Sequence, residues 1–344
     1  MLRRLVFRRL GLAWLLLAAF QASLAGQLGS ASGHALQVGP VAMTVSDMDR
    51  SVTFYTSVLT FEKVSDAERS GPEFDQLYGV SRAHIRVVDL KLGDESIELM
   101  QFLGAAGTPV PVDARSNDLS FQHVAIIVSD MTRAYEVLRQ NHVQHISPYP
   151  QTLPQWNPNA AGIKAFYFQD PDGHPLEVLQ FPPGKGDPKW QQANGRLFLG
   201  IDHTAIAVSN TDASLAFYSK LLGMRVAGES DNYGFEQEHL NNVFGAHLRI
   251  TALRSPSGLG VEFLDYITPR GGRPAAANAS PTDIDHNETV IVVDDLAGLD
   301  AQLHAHNFSG VSVKQITDSG LLFNASQAEL VRDPDGHFLL LLQR

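Results

Sequence analysis

Three glutamates fall in short strand patterns whose neighbouring face positions are apolar. Glu98 shares a strand face with Met100 and Phe102, Glu177 with Leu179 and Phe181, and Glu262 with Leu264 and Tyr266. His123 sits on the same face as Ala125 and Ile127. A carboxylate on such a face is costly unless it is paired or bound to a metal. The chain has no cysteine, which removes thiolate metal sites and cysteine nucleophiles, so any metal must be held by nitrogen and oxygen. Two arginines, Arg270 and Arg273, end a strand pattern and could grip a substrate carboxylate through two parallel hydrogen bonds. The segment from Ser147 to Gly162 is a Pro-rich excursion containing Trp156, the aromatic residue expected to lie over a ligand if this loop is a lid. No Gly-x-Gly-x-x-Gly turn, phosphate-binding loop or Gly-x-Ser-x-Gly elbow is present.

The 344 residues suggest two domains, and a net charge of -11 argues against nucleic-acid or anionic-membrane partners. Residues 1–25 carry Arg3, Arg4, Arg8 and Arg9, no acid, and an apolar run from Leu10 to Phe20 before Ser23-Leu24-Ala25. That pattern predicts a cleaved export signal and a periplasmic or secreted protein, with Arg8-Arg9 compatible with twin-arginine export. Removing it leaves 22 basic against 37 acidic side chains, a formal charge of -15. Glycosylation acceptors at Asn278, Asn287, Asn307 and Asn324 matter only in a eukaryotic secretory route.

Stepping along the chain, one unit occurs four times. Val41 to Met48 is echoed by Val124 to Met131, by Thr204 to Ser209 and by Thr289 to Leu296. Each is a short strand ending at a helix cap, for which Ser46, Ser129, Ser209 and Asp294 are suited. Helices with Phe54-Tyr55, Tyr135 and Leu138, or Phe217-Tyr218 at core spacing follow. Further strands come later, with Asp170-Pro171-Asp172-Gly173-His174 recurring as Asp333-Pro334-Asp335-Gly336-His337 before a final apolar strand. The unit is therefore a strand, a helix and about three antiparallel strands. The aligned positions Pro40, His123, His203 and Glu288 group the units as neighbouring pairs: domain 1 over 38–182, a Pro/Gly-rich linker over 183–197 and domain 2 over 198–344. His84 and His247 occupy equivalent strand positions and suit packing as well as function.

This pattern resembles the vicinal oxygen chelate superfamily of glyoxalases, bleomycin resistance proteins and extradiol dioxygenases. The resemblance implies an α+β fold of two tandem domains, each of two βαβββ modules curled into a cup-shaped mixed sheet. It also implies metal ligands at the start of the first strand and in the last strand of each module. Those corners read Pro40, Glu98, His123 and Glu177 in domain 1, and His203, Glu262, Glu288 and Leu340 in domain 2, each set lacking one ligand; His286 is an alternative beside Glu288. The implied cofactor is a divalent ion, Fe, Mn, Zn or Ni, that polarises a small substrate with neighbouring oxygens or, as iron, activates oxygen. Glu262 or Glu98 would serve as general base. The implied partner is a small molecule, with a homodimer allowed. The alternative is a metal-free protein of the bleomycin-resistance type that sequesters a ligand in an apolar cup, which the missing corners at Pro40 and Leu340 favour.

Overall fold

In a computed structural model, the described residues are 33–308, 310–312, 316–317 and 325–344; the expected signal over 1–25 lies outside them. Module 1 comprises β1 (Ala35–Thr44), α1 (Met48–Ser57), β2 (Glu62–Ser70), α2 (Pro72–Tyr78), β3 (His84–Leu92) and β4 (Glu95–Phe102). Module 2 has β5 (Gln122–Val128), α3 (Met131–Gln140), β6 (Gln144–His145), β7 (Gln151–Thr152), β8 (Lys164–Gln169) and β9 (Pro175–Gln180). Module 3 has β10 (Phe198–Val208), α4 (Thr211–Leu215, continued by a π-helical turn, Ala216–Leu221), β11 (Arg225–Tyr233), α5 (Phe235–Asn241), β12 (His247–Arg254), β13 (Ser257–Gly258) and β14 (Gly260–Thr268). Module 4 has β15 (Asn287–Val293), α6 (Leu296–Ala305), β16 (Ile316–Thr317), β17 (Gln327–Arg332) and β18 (Phe338–Gln343).

The α+β class and the two mixed sheets of two modules each are as expected, but the partners within a sheet differ. One sheet runs β16-β17-β18-β15-β1-β4-β3-β2 and the other β11-β12-β14-β10-β5-β9-β8-β6. Modules 1 and 4 therefore share one sheet, and modules 2 and 3 share the other. The joins are antiparallel, β1 with β15 and β5 with β10. Residues 33–344 form one compact unit, so the expected division at the linker does not separate two independent cups. The linker itself packs inward through Trp190, which is buried.

The helix caps fall one residue later than expected in the first three modules, and likewise in the fourth. Asp47, Asp130, Asn210 and Asp295 accept from the amide three residues on, because a carboxylate or amide oxygen in extended backbone reaches that donor. The two Asp-Pro-Asp-Gly-His turns tie the two sheets together. Tyr55 of α1 donates to Asp170 at 3.0 Å, and Tyr218 after α4 donates to Asp333 at 3.1 Å. His174 is bonded through Nδ1 to Asp170 at 2.8 Å and through Nε2 to the Ile284 carbonyl at 2.6 Å.

These turns set a pH dependence of stability. Burial alone would lower the His174 pKa, but Asp170 beside it raises it to about 9. Burial opposes ionisation of Asp170, and His174 nevertheless holds its pKa below the ordinary value. The imidazolium contribution is fully present below the unfolded histidine pKa of about 6.5 and is lost as pH rises towards about 9. The carboxylate contribution is lost as pH falls below the usual aspartate range. Thermal melts from pH 6 to 9 should show the wild type losing on the order of 2 kcal/mol more than His174→Gln, whose curve should be flatter. Parallel curves would show that His174 is not charged in the fold.

Candidate metal centre

The module 2 and 3 sheet brings together four of the six expected ligands. In register, Ala125 of β5 lies between Glu177 of β9 and His203 of β10, while Ala205 of β10 lies between His123 of β5 and Glu262 of β14. The two rows are related by the antiparallel β5/β10 join, and their small alanines leave room between the four functional side chains. His123 Nε2 lies 3.2 Å from Glu177 Oε2, which is 3.8 Å from His203 Nε2; His203 Nε2 is in turn 3.8 Å from Glu262 Oε2. Ligand atoms of His123, Glu177 and His203 all lie within 4.8 Å of one another.

His203 is oriented from behind. Its Nδ1 is 3.0 Å from Asp202 Oδ2, which leaves Nε2 facing the cluster. Asp202 accepts from Arg254 Nη2 at 2.8 Å and from Trp190 Nε1 at 3.0 Å. Gly260 stands between His203 and Arg254 in the sheet register, and a Cβ there would lie 2.9 Å from the Arg254 guanidinium carbon. Glycine thus lets the guanidinium cross the strand to Asp202. Burial pulls the His203 pKa down, but Glu262, Asp202 and Glu177 outweigh it and raise it to about 9. Burial raises the pKa of Glu262, with His203 opposing this and Glu177 adding to it.

The residues fit a divalent cation. Both ring nitrogens of His123 are buried and have no hydrogen-bond partner among the described residues. An imidazole nitrogen in that state is costly unless a further partner completes it. Two imidazoles and carboxylate oxygens suit borderline ions such as Zn, Ni, Mn or Fe. Asp202→Asn is expected to weaken metal affinity about 10–100-fold through misorientation of His203, read by competition with a chromogenic chelator. Unchanged affinity would remove Asp202 from the supporting shell.

Over the cluster lies a cavity of about 470 Å³, reached by Glu177, His203 and Glu262 and walled by Leu153, Leu179 and Ile250 among others. The other sheet keeps an alanine and a glutamate at the places of Ala205 and Glu262 but differs at the other three ligand places. There Ala42 lies between Glu98 and Glu288, Val290 pairs with Leu340, and Pro40 replaces the histidine. Phe74 and Tyr78 of α2 fill this cup, where the matching positions of α5 are Gln237 and Asn241. Tyr78 donates to Glu288 at 3.4 Å and His286 Nε2 lies 3.2 Å from Glu288, which occupies the carboxylate within the core. Burial, with Asp89 and Glu288 adding to it, raises the Glu98 pKa well above the usual range, which favours the neutral form. Glu98, Glu288 and His286 therefore do not join the cluster.

The substrate-contact residues expected from sequence lie elsewhere. Trp156 is half-exposed and packs on Tyr233 with ring centroids 4.2 Å apart, outside the cavity lining. Its neighbour Asn157 is the buried anchor of that loop, donating to Asn232 at 2.7 Å, so the indole faces out. The loop instead contributes Leu153 and Asn159 to the cavity. Arg273 is held by Asp113 and Asp118 at 2.9 and 2.7 Å, and Arg270 is exposed and outside the lining. His84 and His247 are hydrogen-bonded near the surface to Glu68 and Asp231. Sequence reading missed Asp202, Arg254 and Trp190; an acid directly before the candidate ligand His203 was the available signal for the first.

A family model described as Glyoxalase/Bleomycin resistance protein/Dioxygenase superfamily matches residues 37–178 and 200–341. A "2-epi-5-epi-valiolone epimerase" from Actinomyces sp is 32% identical over 170 residues, 48% of this chain and 88% of that protein. Glyoxalase I from Zea mays superposes with a TM-score of 0.56 at 18% identity, covering 91% of this chain and 92% of that one. A putative dioxygenase from Bacillus subtilis gives 0.56 at 13% identity, covering 91% and 86%. At such identities these two structures speak for the fold alone.

Proposed function

This chain belongs to the glyoxalase/bleomycin resistance protein/dioxygenase superfamily, and from that membership we propose that its module 2 and 3 sheet carries a divalent-metal-dependent proton-transfer site of isomerase or lyase type. The substrate is a small molecule with neighbouring oxygens. The observation that carries this reading is the convergence of His123, Glu177 and His203, with the His123 nitrogens buried and unbonded among the described residues. These three residues would hold the ion, whose chemistry when bound is to polarise a substrate oxygen and acidify the adjacent C–H.

Glu262 acts as the general base. Its side chain is 22% exposed towards the cavity, against 5% for Glu177, so it meets substrate while Glu177 stays in the floor. Its raised pKa strengthens it as a proton acceptor. Asp202 and Arg254 keep His203 in one tautomer, and the apolar walls limit water at the reacting carbon. Two histidines and one carboxylate also form the ligand set of iron oxygenases. The fourth corner favours proton transfer, because Glu262 places a base where an oxygenase needs only open coordination. The relative that is 32% identical over 170 residues is named an epimerase, an isomerase by reaction type, which supports the same direction.

The test is metal analysis of the purified protein followed by proton NMR of 2-hydroxycyclohexanone in deuterated buffer. Retained metal and metal-dependent deuterium entry beside the carbonyl are expected. Oxygen consumption in place of exchange would point to the oxygenase. A chain that binds no divalent ion when supplied with one would leave the metal-free sequestering protein as the reading. Export and signal cleavage near Ala25 belong to this proposal too, and N-terminal sequencing of protein recovered outside the cytoplasm checks them. No helix among the described residues is long and apolar enough to cross a membrane.

A further inference from the structure

The charges around the cavity over the metal centre cancel in a way that bears on what can enter it. Among the described lining residues Arg254 is the one arginine or lysine, and its guanidinium is already engaged by Asp202, at 2.8 Å to the carboxylate and 2.9 Å to the backbone carbonyl, while His203 would be neutral as a ligand of the ion. Glu229, at the rim, is met from outside the cavity by Arg249 at 2.8 Å, which also reaches Asp212. With a divalent ion in place, Glu177 and Glu262 balance it. Asp187 adds one more negative charge to the lining.

We propose that this cavity selects uncharged substrates, hydroxylated ketones or aldehydes, and excludes those that carry a carboxylate or phosphate. The inference rests on the metal reading above and narrows it to a substrate class. An anionic tail entering this space would lose its water and find no unpaired cation, while facing Asp187. A neutral chain loses little, since Leu153, Ile163, Leu179 and Ile250 offer apolar contact. Hydroxyl groups meet polar atoms of Asn159 and Ser230, which line the same space. Gln237, also in the wall, is held by Asn232 at 3.0 Å and by Asn241, so its amide is fixed and cannot swing to neutralise a charge.

The probes are two zinc chelators with the same head and nearly the same length, butanohydroxamic acid and the monohydroxamic acid of succinate. They differ in a terminal methyl against a terminal carboxylate. Calorimetry on the zinc-loaded full chain should show the carboxylated compound binding about tenfold more weakly or worse. Ile250→Arg adds a cation at a partly buried wall position of β12, two residues from Ala252, the register partner of Glu262, and should narrow or reverse the ratio. Equal or tighter binding of the carboxylated compound by the wild type overturns the inference. A ratio unchanged in Ile250→Arg overturns it as well, because shape rather than charge would then be selecting. Failure of the premise looks different: no zinc retained and neither compound bound.

Discussion

Glu262→Gln is expected to lower the turnover number by about 10²–10⁴-fold, the range that loss of a general base produces. The fold should be unaffected, since the amide has the same shape and Glu262 is the most exposed member of the centre. Retained metal should stay near the wild-type level, because His123, Glu177 and His203 still converge. The rate and the metal content therefore separate in this variant. Glu98→Gln is the matched control, since Glu98 and Glu262 occupy equivalent last-strand positions beside Ala42 and Ala205. Burial favours the neutral form of Glu98, so its amide should leave both stability and rate close to the wild type. Loss of rate in Glu98→Gln with an active Glu262→Gln would move the chemistry to the other sheet.

The second large effect is on metal retention. His123→Ala and Glu177→Ala each remove one of three converging ligands, and each should cost more than the about 10–100-fold typical of an outer-shell change. Metal content after desalting, with circular dichroism as the check on folding, reads this directly. Glu288→Gln, at the position in the other sheet that corresponds to His123, should leave the content unchanged. The protein already contains one such substitution: Leu340 stands where Glu177 does, packed against Val290 in a cup filled by Phe74 and Tyr78. Glu177→Leu should accordingly fold, with metal-free stability equal to or above the wild type, because an apolar group replaces a buried carboxylate. Equal metal retention in Glu177→Ala and Glu288→Gln would show that the cluster does not hold the ion.

The individual ligands were legible because each departs from an alternating apolar face, and the repeat aligned them with one another. Grouping them by neighbouring modules, as sequence alone suggests, leaves a gap at Pro40 in one set and at Leu340 in the other. The observed sheets move both gaps into the same cup and leave His123, Glu177, His203 and Glu262 complete in the other. The substitution of Phe74 and Tyr78 by Gln237 and Asn241 in the matching helix carried the same message, since large aromatics close a cup and amides leave it open. Trp156 and Arg273 were misplaced for another reason. A loop residue's direction depends on which neighbour is anchored, here Asn157, and an arginine's role depends on the nearest carboxylates, here Asp113 and Asp118.

The amino-acid sequence by itself determined four βαβββ modules, through strand alternation, helix spacing, capping side chains and the repeated Asp-Pro-Asp-Gly-His turn. All of these act within a few residues of one another. Only the tertiary structure decided that β5 joins β10 and β1 joins β15. Those joins are made by backbone hydrogen bonds between first strands that are all largely apolar and similar in pattern, so local pattern does not distinguish the partners. The choice is made by what the completed cup must bury: a core closed by Phe74 and Tyr78 in one sheet, and in the other a cavity reached by His203, Glu177 and Glu262 with His123 buried beneath.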